Sequence, residues 1–157
     1  MDKNPITVVG IGNAYRSDDG VGLYIAERIR SLALNGVKAV VGIGDGFALV
    51  DIWSDSTMVF VIDCASSGAL SGTTYRFDAL HEKIPSNLFS GLSTHSIAVN
   101  DAVELARVLN RLPGGLVVYG IEGSDFSPGN DLTPAVRESA HKVVDSIYKE
   151  IEVLTHI

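Results

Sequence analysis

Apolar residues fall into two rhythms along the chain. Ile6-Thr7-Val8-Val9-Gly10-Ile11, Val37–Val41, Thr57-Met58-Val59-Phe60-Val61-Ile62-Asp63 and Leu116–Ile121 are short, near-continuous runs rich in β-branched side chains, the signature of buried strands. The third run, which ends on a carboxylate, reads as the central strand. Thr73–Phe77 reads as an edge strand. Between these runs the spacing changes to three and four. Residues 20–34 carry Val21, Ile25, Ile29 and Leu32 on one helical face, and Asn35-Gly36 ends that helix. Phe47–Trp53 predicts a short helix. Residues 96–110 predict a helix that buries Ala98, Ala102, Leu105 and Leu109. Thr133 as N-cap and Pro134 in the first turn open a last helix, with Val136, Ala140, Val143, Val144, Ile147 and Ile151 as its stripe. Residues 78–95, weakly periodic and interrupted by Pro85 and Gly91, read as an irregular loop with room to move. Strands alternating with helices predict one α/β domain over residues 1–157. Its architecture is a three-layer sandwich, a mostly parallel twisted sheet with helices on both faces.

Composition narrows the class. With 46% hydrophobic and 20% charged residues in a chain of 157, the profile is that of an ordinary globular domain. A net charge of −7 argues against nucleic acid or an anionic membrane as the main partner. No apolar run approaches the roughly 20 residues that span a bilayer, and Met1-Asp2-Lys3-Asn4-Pro5 lacks a signal-peptide pattern. The single cysteine, Cys64, allows no internal disulfide and fits a reducing compartment. The expected setting is the cytoplasm.

The chemistry-bearing residues sit at strand ends. Gly10-Ile11-Gly12 is not a dinucleotide fingerprint, because Tyr15 stands where the third glycine is required. There is no Walker sequence, no H-E-x-x-H, and no Ser-His-Asp or Cys-His pair at convincing positions. Asp18 and Asp19 follow the first strand, Asp63 ends the third, and His95 precedes a helix. In a parallel sheet all three places fall on the carboxyl edge, where open α/β folds put ligands. Two carboxylates and an imidazole suit a borderline divalent metal such as nickel, zinc, cobalt or ferrous iron. Each residue also has a plainer reading. Asp18 or Asp19, the former above all, caps the helix that begins near Gly20, Asp63 accepts backbone hydrogen bonds, and His95 is a surface cap. Cys64 faces away from Asp63 and reads as a small buried hydrophobe. His81, His141 and His156 read as solvated, and Tyr15 and Arg16 as an exposed loop tip.

Gly10-Ile11-Gly12-Asn13, four residues, then Asp18-Asp19-Gly20-Val21-Gly22 resembles the N-terminal signature of the nickel–iron hydrogenase maturation proteases. The resemblance continues through Val61-Ile62-Asp63, Ser93-Thr94-His95, Gly120-Ile121-Glu122 and Leu132-Thr133-Pro134-Ala135-Val136. It implies an endopeptidase that removes a C-terminal extension from the hydrogenase large-subunit precursor. It also implies that Asp19, Asp63 and His95 are the metal ligands and catalytic residues, reading nickel already installed in the precursor. One stretch departs from the family. Gly42-Ile43-Gly44-Asp45-Gly46 stands where an Asp-Gly-Gly-Thr-like loop is usual, which leaves the particular partner open. Two other readings compete with the protease: a self-contained metallohydrolase using zinc on another substrate, and a non-catalytic checkpoint that binds the nickel site without cutting. A tightly bound metal in the purified protein would favour the first; precursor binding without a mass change would favour the second.

Overall fold

The computed structural model describes residues 6–43, 46–89 and 99–155. Five strands form one sheet: β1 (Ile6–Gly10), β2 (Val37–Val41), β3 (Met58–Ala65), β4 (Thr74–Asp78) and β5 (Leu116–Glu122). They lie in the order β2-β1-β3-β5-β4. All neighbours are parallel except β4, which runs antiparallel along the edge of β5. The helices are α1 (Val21–Ser31), α2 (Gly46–Trp53), α3 (Val99–Val108) and α4 (Pro134–Thr155).

Two cores flank the sheet. On one face Val8, Phe60, Ile62, Tyr119 and Ile121 pack against α1 and α4. On the other Val9, Val59, Val61, Leu116 and Val118 pack against α2 and α3. Strands buried on both sides need the unbroken apolar runs found in β1, β3 and β5, so the expected three-layer α/β sandwich is the fold.

Four details differ from the sequence reading. β3 continues two residues past Asp63, because Cys64 and Ala65 still pair with Ile121 and Glu122 of β5. Glu122, one residue past the expected strand Leu116–Ile121, therefore ends β5 and is 1% exposed. The buried face of α3 is Val99, Ala102, Val103 and Ala106, whereas Leu109 lies beyond the helix and is half exposed. Both stripes have helical spacing. The observed one sets Asp101, Glu104 and Arg107 away from the core, which the alanine–leucine stripe does less cleanly. Finally, residues 79–89 are irregular but packed. Ala79, Ile84, Leu88 and Phe89 are buried, and the amides of Ala79 and Ser66 donate to the carbonyls of Leu116 and Leu88 at 2.8 and 3.1 Å. The rest of that expected loop, with Ala98 of the expected helix, lies outside the described residues.

Candidate active site

The site begins with two glycines that let backbone approach backbone. A Cβ on Gly22 would lie 2.4 Å from the carbonyl oxygens of both Ile11 and Ile62, so α1 starts in direct contact with the ends of β1 and β3. Gly12 has φ 144° and would bring a Cβ to 2.0 Å from the Asp19 carbonyl. Only glycine fits such a place. The consequence is that the 3-10 turn Ser17–Gly20, carrying both aspartates, folds back against β3.

The two neighbouring aspartates do different work. Asp18 is fully buried. Its carboxylate accepts from the amides of Ser124, Asp125 and Thr133 at 2.9, 3.0 and 2.8 Å, and from the Thr133 hydroxyl at 3.0 Å. It makes no side-chain cap to its own turn or to α1. Instead it ties the first loop to the loop between β5 and α4, and the hydroxyl of Thr133 at the start of α4 is spent on it. Further stitches run alongside: Ser17 N–H to the Gly129 carbonyl at 2.8 Å, and Gly129 N–H to the Tyr15 carbonyl at 2.9 Å. Tyr15 itself is exposed.

Asp19 is 4% exposed. Burial pushes its carboxyl up to about 6, against the opposing pull of the Arg16 guanidinium and the Asn13 backbone. Asp63 is 8% exposed and accepts the Cys64 N–H at 2.8 Å. It pairs with Gly120, so no β5 side chain crowds it at that register. Burial holds its carboxyl well above the ordinary range, and the Asp19 charge adds to the rise. These two carboxylates therefore lie within each other's field, both buried; among the described residues Asp63 accepts the Cys64 N–H, and Asp19 has the Asn13 N–H and the Arg16 guanidinium. Such a pair is poised to accept a cation, which removes the cost of keeping two charges out of water.

Glu122 makes the contrast clear. It too is buried, but it accepts from Ser67 N–H and hydroxyl at 2.8 and 2.7 Å, Gly68 N–H at 3.2 Å and Tyr75 hydroxyl at 3.2 Å. Asp18 and Glu122 are saturated with hydrogen bonds and serve the framework, while among the described residues Asp19 and Asp63 gather fewer. The sequence offered a signal for Glu122: an apolar strand ending in a carboxylate, the same pattern that singled out Asp63. Cys64 is buried on the opposite face of β3, its thiol pushed up by burial and by the surrounding carboxylates. It is no nucleophile.

Among the described residues no three His, Cys, Asp or Glu side chains assemble into a metal-binding group. Asp19 and Asp63 are two of the three expected, and His95 lies outside the described residues. His81 and His141 are engaged elsewhere: His81 pairs with Asp78 at 2.9 Å, and His141 bonds the Tyr24 hydroxyl at 2.8 Å.

The sequence profile of the hydrogenase maturation protease family matches residues 24–150. The chain belongs to that family. The protease is 28% identical over 149 residues to the hydrogenase expression/formation protein HupD of Bradyrhizobium diazoefficiens, covering 90% of this chain and 75% of that one. It is 22% identical to the hydrogenase 2 maturation protease of Escherichia coli, covering 90% and 87%. Among solved structures, the hydrogenase maturating endopeptidase HybD of E. coli superposes with TM-score 0.80 at 19% identity, covering 96% of this chain and 93% of that one. The nickel–iron hydrogenase maturation protease HycI of Thermococcus kodakarensis gives 0.71 at 21% identity, covering 94% and 92%. At such identities the superpositions speak for the fold. No helix of the protease, among the described residues, is long and apolar enough to cross a membrane.

Proposed function

We propose that Asp19, Asp63 and His95 form the centre with which this peptidase engages nickel carried by its substrate. The protein is a hydrogenase maturation endopeptidase, and its partner is the large-subunit precursor, from which it removes the C-terminal extension. The single observation supporting the centre is the pair Asp19 and Asp63, buried, mutually repelling and sparingly hydrogen-bonded at the carboxyl edge. A hard–borderline cation fits that donor set, and an imidazole would complete it. Nickel here belongs to the precursor. When engaged it supplies a Lewis acid that polarises a carbonyl and favours ionised water near neutral pH.

The chain's own residues supply position. The 3-10 turn holds Asp19 against β3, the Phe89 ring packs over Gly120 beside Asp63, and Asp18 locks the turn in place. A precursor without nickel would meet two carboxylates that repel each other, so the same pair gives a reason for cutting only loaded substrate. The setting is the cytoplasm, where a lone free cysteine such as Cys64 is stable.

The test is the intact mass of the host's large subunits with this gene present, deleted, or replaced by variants. The deletion strain should retain the C-terminal extension. His95→Ala and Asp63→Asn should retain it too while remaining folded by circular dichroism. Fully processed subunits in either variant would remove that residue from the centre. Processed subunits in the deletion strain, with related proteases also deleted, would overturn the substrate.

A further inference from the structure

Glu122 lies outside the proposed centre, yet its hydrogen bonds hold the connection that leaves β3 just beyond Asp63. Its carboxylate gathers Ser67 and Gly68, the turn that follows β3, together with the Tyr75 hydroxyl of β4. Its backbone N–H donates to the Thr73 carbonyl and its carbonyl accepts from Gly72, both at 2.8 Å. One residue thus grips both ends of the β3–β4 connection. Ser66, beside that turn, donates to the Leu88 carbonyl at 3.1 Å. Leu88 and Phe89 are buried, and a Cβ on Gly120 would lie 2.8 Å from the Phe89 ring. Gly120 is the register partner of Asp63. In sequence, Phe89 is six residues ahead of His95.

We infer that Glu122 is a positioning residue for the peptidase reaction, acting through the 66–68 turn on the end of β3 that bears Asp63 and on Leu88–Phe89. This rests on the proposed centre. A buried carboxylate facing four neutral donors is a costly way to fix a turn unless its geometry is needed, because the group is taken out of water. Neutral donors saturate it without a cation that would compete with the metal for Asp19 and Asp63. Glutamine can replace it in place. Its amide oxygen can face the Ser67 and Gly68 amides, and its NH2 can face the two hydroxyls, which reverse their roles and accept.

The experiment compares Glu122→Ala, Glu122→Gln and a control, Ile147→Ala, in the core against α4 on the opposite face of the sheet. Hydrogen exchange is read by segment, and kcat and KM are measured per folded molecule on nickel-loaded large-subunit precursor. Glu122→Ala should speed exchange in residues 64–68 and 85–89 about tenfold more than in α4, and lower kcat about tenfold with KM within about twofold. Glu122→Gln should restore both to within about threefold of the wild type. If Glu122→Ala does not fold, Ser67→Ala combined with Tyr75→Phe removes the two hydroxyl donors alone and should lower kcat in the same sense. A uniform rise in exchange like that of Ile147→Ala, or a retained kcat with the 66–68 turn loosened, overturns the positioning role. A wild-type protein that leaves the precursor uncut overturns the proposed function instead; the exchange pattern still judges whether Glu122 holds these segments.

Discussion

At the scale of the residue, four buried carboxylates crowd one edge of the sheet, and donor count separates them. Asp18 is tied by three backbone amides and a hydroxyl. Removing it orphans those amides, so Asp18→Ala should cost about 2–4 kcal/mol in urea denaturation. Asp18→Asn should cost less, and should lower stability more than activity. Asp19 makes stability depend on pH. Its folded carboxyl is raised from 3.8 to about 6, so the folded protein binds the proton more tightly than the unfolded chain does. The stability this contributes is complete below the unfolded value and is lost as pH rises through about 6. Asp19→Asn should therefore gain on the wild type by about 1–3 kcal/mol between pH 4 and pH 7, measured by denaturant titration at each pH. A difference that stays flat with pH would mean the Asp19 carboxyl is not held out of water.

At the scale of the element, the crossing of α1 over β1 and β3 is what brings the first loop to the site. The contact is backbone on backbone: a Cβ on Gly22 meets two carbonyl oxygens at 2.4 Å, and one on Gly10 meets the Gly22 carbonyl at 2.2 Å. Neither partner can rotate away as a side chain would. Gly22→Ala should therefore destabilise by about 3 kcal/mol or more. It should also abolish processing even in molecules that remain folded, because α1 must lift and carry Asp19 with it. A folded, active Gly22→Ala protein would show that the helix start is not what places Asp19. The same scale explains an uneven result of reading the chain. The faces of α1 and α4 were legible because charged residues leave one continuous apolar stripe on each, except that Leu32, expected on the α1 face, lies past the end of that helix and is 47% exposed. The face of α3 was not, since two stripes with helical spacing share Ala102, and packing against α2 and the 79–89 segment chose between them.

At the scale of the whole molecule, the sheet divides two jobs. The α1/α4 side is an apolar core running the length of α4, with Ile147 fully buried in it. Ile147→Ala should lower stability by about 2–4 kcal/mol through the cavity it leaves, while kcat per folded molecule stays at the wild-type value. A selective loss of kcat would mean that the two faces are mechanically coupled. The carboxyl edge holds the paired carboxylates, and the loops that follow β1, β3 and β5 close around it by hydrogen bonds between distant segments, 110 residues apart for Ser17 to Ser127 and 55 for Ser67 to Glu122.

The sequence by itself determined the alternation of strand and helix, the parallel sheet, and the carboxyl-edge placement of Asp19 and Asp63. All three follow from local periodicity and from the topological rule that ligands gather at strand ends. Family membership was legible as well, because its short motifs recur in order along the chain. Only the tertiary structure decided which carboxylates gather the most hydrogen bonds among the described residues. Asp18 and Asp19 are adjacent and chemically identical, and Glu122 ends its strand much as Asp63 nearly does. What separates them is the set of amides and hydroxyls that distant segments bring, and hydrogen bonds across a hundred residues leave no periodic trace in the chain.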